Sequence, residues 1–195
     1  MSDQRSDSTQ VRSLPAFAGE RRRGAGSELE REVIALFDSH RGRLLAYVRT
    51  FGIAGHDAEE VVQEVFLSLF RHLQMGKPRN HLQGWMFRVA HNLALKHRMA
   101  SQRWQNHVDA GDDFAETHRD PSPNPEEHAV SAQRQQRLSS VASALPEQDQ
   151  WCLYLRAEGL RYREIAEVLG ISLGSVSNSL TRSLDRLLRA DGVAP

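Results

Sequence analysis

Apolar residues recur at three- and four-residue spacing through most of the chain. Over residues 28–50 the run is Leu29, Val33, Leu36 and Phe37, then Leu44, Leu45 and Val48, which is the spacing of a helix with one buried face. Gly52 and Gly55 interrupt it. A second run, Ala58, Val61, Val62, Val65, Phe66, Leu69, Phe70 and Leu73, predicts a helix ending near Gln74. Asp57-Ala-Glu-Glu60 reads as its capping box, with Asp57 as N-cap and Glu60 at the third helical position. Gly76-Lys-Pro78 stops it. Met86, Val89, Ala90, Leu93 and Ala94 then predict a third helix from about Leu82 to Arg103.

Helical spacing resumes at Ala129-Val130 and runs to Leu145. Pro146 suits a first helical turn, with Glu147 and Asp149 near the positive end of that helix. Gly159 ends it. The remainder reads as a helix-turn-helix. Ala166 stands where two helices approach closely, Gly170 stands in the turn, and Ile165, Leu169, Ile171, Val176 and Leu180 supply the apolar seam. In the last helix Leu173, Val176, Leu180, Leu184 and Leu187 form the predicted buried stripe. Ser175, Asn178, Ser179, Arg182 and Arg186 project the other way, and Ser172 is the N-cap.

No strand-like alternation of useful length and no internal repeat occurs. The expectation is an all-α chain: two small helical domains joined by a flexible acidic linker, the second containing the helix-turn-helix. Residues 1–27, rich in Ser, Arg, Gly and Asp, read as a disordered tail. The first domain covers 28–107. Residues 108–130, with Gly111-Asp-Asp and Asp120-Pro-Ser-Pro-Asn-Pro125, form the linker. The second domain covers 131–192.

Charge changes this picture. The 195 residues carry 25 Lys or Arg and 25 Asp or Glu, a net charge of zero. The charges are nevertheless segregated: 109–149 holds nine acidic and three basic residues, while 65–108 holds no carboxylate and seven Lys or Arg. Such a basic block in a neutral chain points to a polyanion-facing surface.

The third helix concentrates that surface. At ~100° per residue, Trp85, Arg88, Asn92 and Lys96 share one narrow face. Ring and guanidinium planes stack bases, an amide reads a base edge, and cations hold phosphates, so the stripe suits single-stranded DNA; the alternative is a solvated face with Trp85 tucked against the core. The preceding loop adds Lys77, Arg79, Asn80 and His81. The second helix is opposite in character, with Asp57, Gln63, Glu60 and Glu64 on its polar face; that suits a basic protein surface, or simple solvation. In the last helix, Asn pairs with adenine and Arg with guanine or phosphate, and the N-terminus capped by Ser172 favours a phosphate.

Other chemistry is thin. The nine histidines are scattered, without metal-ligand spacing. The single Cys152 lies in an apolar run and reads as a buried residue. No phosphate-cradling loop, nucleophile elbow or acid–base pair is present. No enzyme activity, cofactor or metal is expected. No signal peptide or membrane-spanning stretch is seen, and a cytoplasmic location is expected.

In this order, three motifs resemble those of bacterial sigma factors of the extracytoplasmic-function type, in the sigma-70 family. They are Asp57-Ala-Glu-Glu-Val-Val-Gln-Glu-Val-Phe66, Gly84-Trp-Met-Phe-Arg-Val-Ala-His-Asn-Leu-Ala-Leu95, and Leu145-Pro146 with Tyr162-Arg-Glu-Ile-Ala-Glu-Val-Leu-Gly-Ile-Ser172. The resemblance covers about residues 30–105 and 130–190. It implies a non-catalytic promoter-specificity subunit of RNA polymerase. The first motif would dock on the clamp helices of the largest core subunit. The Lys77–Gln83 loop and the Asn92 helix would bind the −10 non-template strand, capturing bases that melting exposes. The last domain would read the −35 duplex and touch the flap tip of the second-largest subunit. The acidic linker would thread towards the RNA exit path. An anti-sigma factor is the usual further partner.

Two departures stand out. Val176-Ser-Asn-Ser-Leu180 has Ser177 and Ser179 where the family usually carries cations, and Arg161 stands where a Ser N-cap is common. Two other readings remain open on the residues alone: a helix-turn-helix regulator acting without polymerase, and a helical adaptor whose motif only packs. The carboxylate-free, Trp- and Asn-bearing helix beside an acidic helix is what a simple regulator does not need.

Overall fold

The computed structural model describes residues 18–53, 55–105 and 127–192. Among these described residues seven helices follow one another: α1 (Ala18–Arg49), α2 (Gly55–Gln74), α3 (Leu82–Gln105), α4 (Glu127–Ser143), α5 (Glu147–Ala157), α6 (Tyr162–Leu169) and α7 (Leu173–Asp191). No strand occurs among the described residues. The all-α expectation is met, with α1–α3 forming one helical unit and α4–α7 the other.

The first unit packs around Leu44, Val48, Val65, Leu69, Met86, Ala90 and Ala94, all at or near zero exposure. These are the apolar faces that the spacing marked. Burying side chains of this size contributes ~1.5–3 kcal/mol each, against the entropy of ordering them. In the second unit Ile165, Val168, Val176 and Leu180 meet Cys152, Leu155 and Leu160. Gly170 closes α6 at φ 66°, ψ 31°, and Ile171 N–H donates to Ala166 O at 3.1 Å. Glycine takes that left-handed turn without the Cβ penalty. The Ser172 hydroxyl accepts from Ser175 N–H at 3.1 Å and caps α7.

Several boundaries differ from expectation. α1 begins at Ala18, so Ala18–Ser27 belongs to a helix rather than to a disordered tail; Ala, Glu and Arg are good helix formers. Residues 1–17 lie outside the described residues, as does 106–126, most of the expected linker. α4 starts at Glu127, inside that expected linker. Asp57 is not an N-cap: α2 starts at Gly55, which leaves Asp57 in its first turn, where a carboxylate still suits the helix dipole. Pro146 is the N-cap of α5 rather than part of its first turn (φ −54°, ψ 144°).

α7 is rotated from the expected register. Leu173 and Leu184 are 46% and 50% exposed, while Ser179 and Ser183 are fully buried. Ser179 therefore does not project outward. Its small side chain lets α7 approach α5, and its hydroxyl accepts from Gln148 Nε2 at 3.2 Å and Arg182 Nη2 at 3.3 Å. Ser183 donates to Ser179 O at 2.8 Å. Buried hydroxyls with such partners avoid most of the cost of leaving water. Leu184, Leu187 and Leu188 turn instead to a groove against Leu138 and Ala142 of α4.

The two units share one apolar cluster. α6 lies against α3, and α5 brings Trp151 and Tyr154 to α1 and α3. This packing sets the surroundings of the candidate site.

Candidate nucleic-acid interface

The loop between α2 and α3 is shaped by two left-handed residues, Gly76 (φ 67°) and His81 (φ 60°). His81 is the one described non-glycine residue with positive φ, a conformation in which His is enriched but which still stores strain. Its carbonyl accepts from Trp85 N–H at 3.0 Å and starts α3. Its Nδ1 lies 2.9 Å from Glu164 Oε1 of α6.

On α3, Arg88, Asn92 and Lys96 stand exposed in one row, while Met86, Ala90 and Ala94 are buried behind them. Trp85 is half-buried, with its ring centroid 4.6 Å from that of His72. It is held as a platform rather than standing free. Among the described residues Lys77, Arg88 and Lys96 make no ion pair, whereas Arg79 reaches Glu32 at 3.2 Å. Asn80, with Lys77 and Arg79, lies exposed in the loop. The outer face of α3 thus carries unneutralised cations and an amide, as a strand-binding surface requires.

A cleft of about 630 Å³ opens between this face and α6. Asn80, His81, Trp85 and Arg88 form one wall, and Arg161, Tyr162, Arg163, Glu164 and Glu167 the other. The second wall was missed by sequence reasoning, because only tertiary packing brings α6 to α3. Glu164 also accepts from Arg161 N–H at 2.7 Å, so it closes the start of α6 where Arg161 offers no side-chain cap. That backbone bond holds the Glu164 carboxyl below the ordinary carboxylate range, against burial, with help from the His81 hydrogen bond and charge.

On α2, Glu60, Gln63, Glu64 and Leu67 fall at helical positions i, i+3, i+4 and i+7, one face. Leu67 is 51% exposed among them. His56 faces Glu60 at 3.2 Å, Arg71 faces Glu64 at 3.6 Å and His97 faces Asp57 at 3.5 Å. These pairs lie in solvent and leave the carboxylates accessible.

On α7, Asn178 and Arg186 are exposed; Ser172 is exposed and Ser175 half-buried at the helix start, where their hydroxyls lie 2.9 Å apart. Arg182 is tied down: its guanidinium donates to both oxygens of buried Asp149, at 2.8 and 3.3 Å.

The comparisons with known proteins follow the same division. The family model for Sigma-70 region 2 matches residues 36–105, and that for Sigma-70, region 4 matches residues 135–187. The first match covers the latter part of α1 with α2 and α3, and the second runs from within α4 into α7.

The chain belongs to the sigma-70 family.

Sigma factors of the extracytoplasmic-function type are among the proteins it is similar to. The ECF RNA polymerase sigma factor SigE of Mycolicibacterium smegmatis is 31% identical over 133 residues, 68% of this chain and 51% of that protein. The ECF RNA polymerase sigma-E factor of Haemophilus influenzae is 25% identical over 164 residues, 81% of this chain and 87% of that protein. The chain thus spans about half the length of the first relative and most of the second. Among solved structures, RpoE in complex with the anti-sigma factor NepR from Bartonella quintana has a TM-score of 0.56 at 16% identity, over 86% of this chain and 99% of that one. CnrH in complex with the cytosolic domain of CnrY gives 0.54 at 21% identity, over 88% and 95%. These two likenesses show the fold. Among the described residues no helix is long and apolar enough to cross a membrane.

Proposed function

We propose that this sigma-70 family chain is the promoter-specificity subunit of an RNA polymerase and has no catalytic activity of its own. The observation that carries the reading is the α3 face. Arg88 and Lys96, without an ion pair among the described residues, and the Asn92 amide stand on a helix without a carboxylate, with Lys77 in the loop before it, in the same chain as a capped helix-turn-helix.

Each surface has a task in this reading. The acidic face of α2, with Asp57, Glu60, Gln63 and Glu64 around exposed Leu67, docks on the clamp helices of the largest core subunit. Lys77, Arg79, Asn80, His81, Trp85, Arg88, Asn92 and Lys96 bind the −10 non-template strand. Cations hold its phosphates, and the Trp85 platform and Asn92 amide receive unstacked bases. Capture of those bases offsets the few kcal/mol of unstacking. Ser172, Ser175, Asn178 and Arg186 engage the −35 duplex, with Arg182 positioned by Asp149. The α4–α7 groove with its exposed leucines meets the flap tip. An anti-sigma factor is a further partner, and the cytoplasm is the place of action.

The test is run-off transcription. The chain is added to core polymerase on genomic promoter fragments. Discrete promoter-dependent transcripts are expected. Duplex binding without initiation favours a regulator that works without polymerase, and neither result favours an adaptor.

A further inference from the structure

The loop before α3 has no core of its own. Residues 75–81 are all exposed, so no apolar burial fixes their path, and hydrogen bonds must do so. Gly76 turns the chain at φ 67° and donates its N–H to Leu73 O at 2.9 Å, and Lys77 N–H donates to His72 O at 3.2 Å. Beyond that turn the loop is held by side chains. Arg79 reaches Glu32 of α1 and His81 reaches Glu164 of α6, but both ties run through the loop's own flexible side chains.

His72, in the last turn of α2, grips the loop backbone itself. Its Nε2 lies 3.0 Å from Pro78 O. A carbonyl only accepts, so Nε2 carries the proton and donates. Proline fixes its own φ, which leaves its carbonyl a well-defined handle on the chain. The same imidazole lies 4.6 Å from the Trp85 ring, between centroids, tilted by 43°. One half-buried planar group thus touches both the loop that carries Lys77, Arg79 and Asn80 and the ring in the first turn of α3.

We propose that His72 is a positioning residue for capture of the −10 strand. Its ring sets the loop backbone and the Trp85 platform at a fixed spacing, so that a base on Trp85 and phosphates on Lys77 and Arg79 are engaged together. The proposal rests on the strand-binding reading of this surface. His72 acts through its two contacts, and the gain is pre-organisation: less of the loop has to be ordered when the strand arrives. An imidazole in the last turn of a helix also suits the helix dipole, but that role is indifferent to Trp85.

Three variants of the full chain separate the contacts. His72→Phe keeps a ring against Trp85 and loses the donor. His72→Gln keeps an N–H for Pro78 O and loses the ring. His72→Ala loses both. Fluorescence anisotropy with a single-stranded −10 oligonucleotide should show His72→Ala weakened ~10-fold, with Phe and Gln each restoring part of the loss, and thermal melts identify variants folded at the assay temperature. In a Trp85→Ala background His72→Ala should cost only ~3-fold, because one of its two contacts is already gone; such non-additivity is the mark of coupled residues. Equal losses in the two backgrounds, no rescue by Phe or Gln, or unaltered binding by His72→Ala overturns the proposal. Failure of the strand-binding reading looks different: the unmodified chain itself does not bind the oligonucleotide, or Trp85→Ala binds it as tightly as the unmodified chain.

Discussion

Asp149, 1% exposed, accepts two hydrogen bonds from the Arg182 guanidinium across the α5–α7 contact. The pair turns a residue on the outer side of the last helix into a structural clamp. Burial pushes the Asp149 carboxyl up, but hydrogen bonds from Arg182 and Ser179 and the charges of Arg182 and Arg186 outweigh it, leaving it below the ordinary carboxylate range. Arg182→Ala leaves a buried carboxylate without its partner, so the helix-turn-helix unit should lose several degrees of melting temperature. Arg186→Ala should leave melting unchanged and reduce the salt slope of −35 duplex binding by ~1. Thermal melts and salt titrations of the two variants separate the roles. Equal melting loss in both would refute the assignment.

The isolated 131–192 segment should bind duplex DNA weakly and with a shallow salt slope. Ser177 and Ser179 stand where cations are common in the family, and Ser179 is fully buried. Few phosphates are then neutralised, and each contributes ~0.9 to the slope. A steep slope in a filter-binding titration would count against this.

Lys96 and Asn92 should behave differently on a single-stranded −10 oligonucleotide. Lys96→Ala removes a phosphate contact and should lower the salt slope by ~0.7. Asn92→Ala should weaken binding about 10-fold at unchanged slope, as loss of a base-edge contact does. Fluorescence anisotropy across salt concentrations measures both. A shared slope change would mean that Asn92 reads no base.

Charge reversal on α2 should uncouple docking from folding. Glu60→Lys/Glu64→Lys should weaken core binding at least ~10-fold through like-charge opposition. The partners that these residues lose are exposed ion pairs with His56 and Arg71, worth only ~0–1 kcal/mol, so melting should barely move. Unaltered core affinity would show that α2 is not the docking face.

His91 sets a window of acid sensitivity. It is buried among Phe51, Trp151 and Tyr47, whose hydroxyl lies 2.9 Å from its Nδ1. Burial, with a smaller push from Arg98, lowers its pKa to about 4. The unfolded chain takes up that proton near ~6.5 and the folded chain only near 4. Stability should therefore fall as pH drops through this window and level off below it. The carboxylates of Asp149 and Glu164, whose pKa values are depressed, contribute losses only at lower pH. His91→Phe should flatten the melting-temperature profile between ~6.5 and 4. A profile with the unmodified slope would remove His91 from the account.

What the sequence revealed depended on whether the signal was local. Gly170 and Ser172 announced the turn because a left-handed position and an N-cap are set by neighbouring residues. The row Arg88, Asn92 and Lys96 was visible because helical spacing fixes which residues share a face. The face of α7 was not, since periodicity weighs Leu184 above Ser183. Hydrogen-bonded serines bury as readily as leucine when two helices must approach closely. Phe87 and His91 were also hidden. Both are buried on α3, and their aromatic neighbours Tyr154 and Trp151 come from α5. No local pattern announces a contact made across that distance in sequence.

Promoter opening itself is the most direct measurement. Permanganate footprinting reads unpaired thymines on a promoter fragment incubated with core polymerase and the chain. Reactive thymines should appear around −10 with unmodified protein, and at least ~10-fold less strongly with the Arg88→Ala/Asn92→Ala/Lys96→Ala variant, while the two proteins should bind core equally. Melting that persists undiminished in the triple variant would contradict the assignment of α3 as the strand-capturing helix.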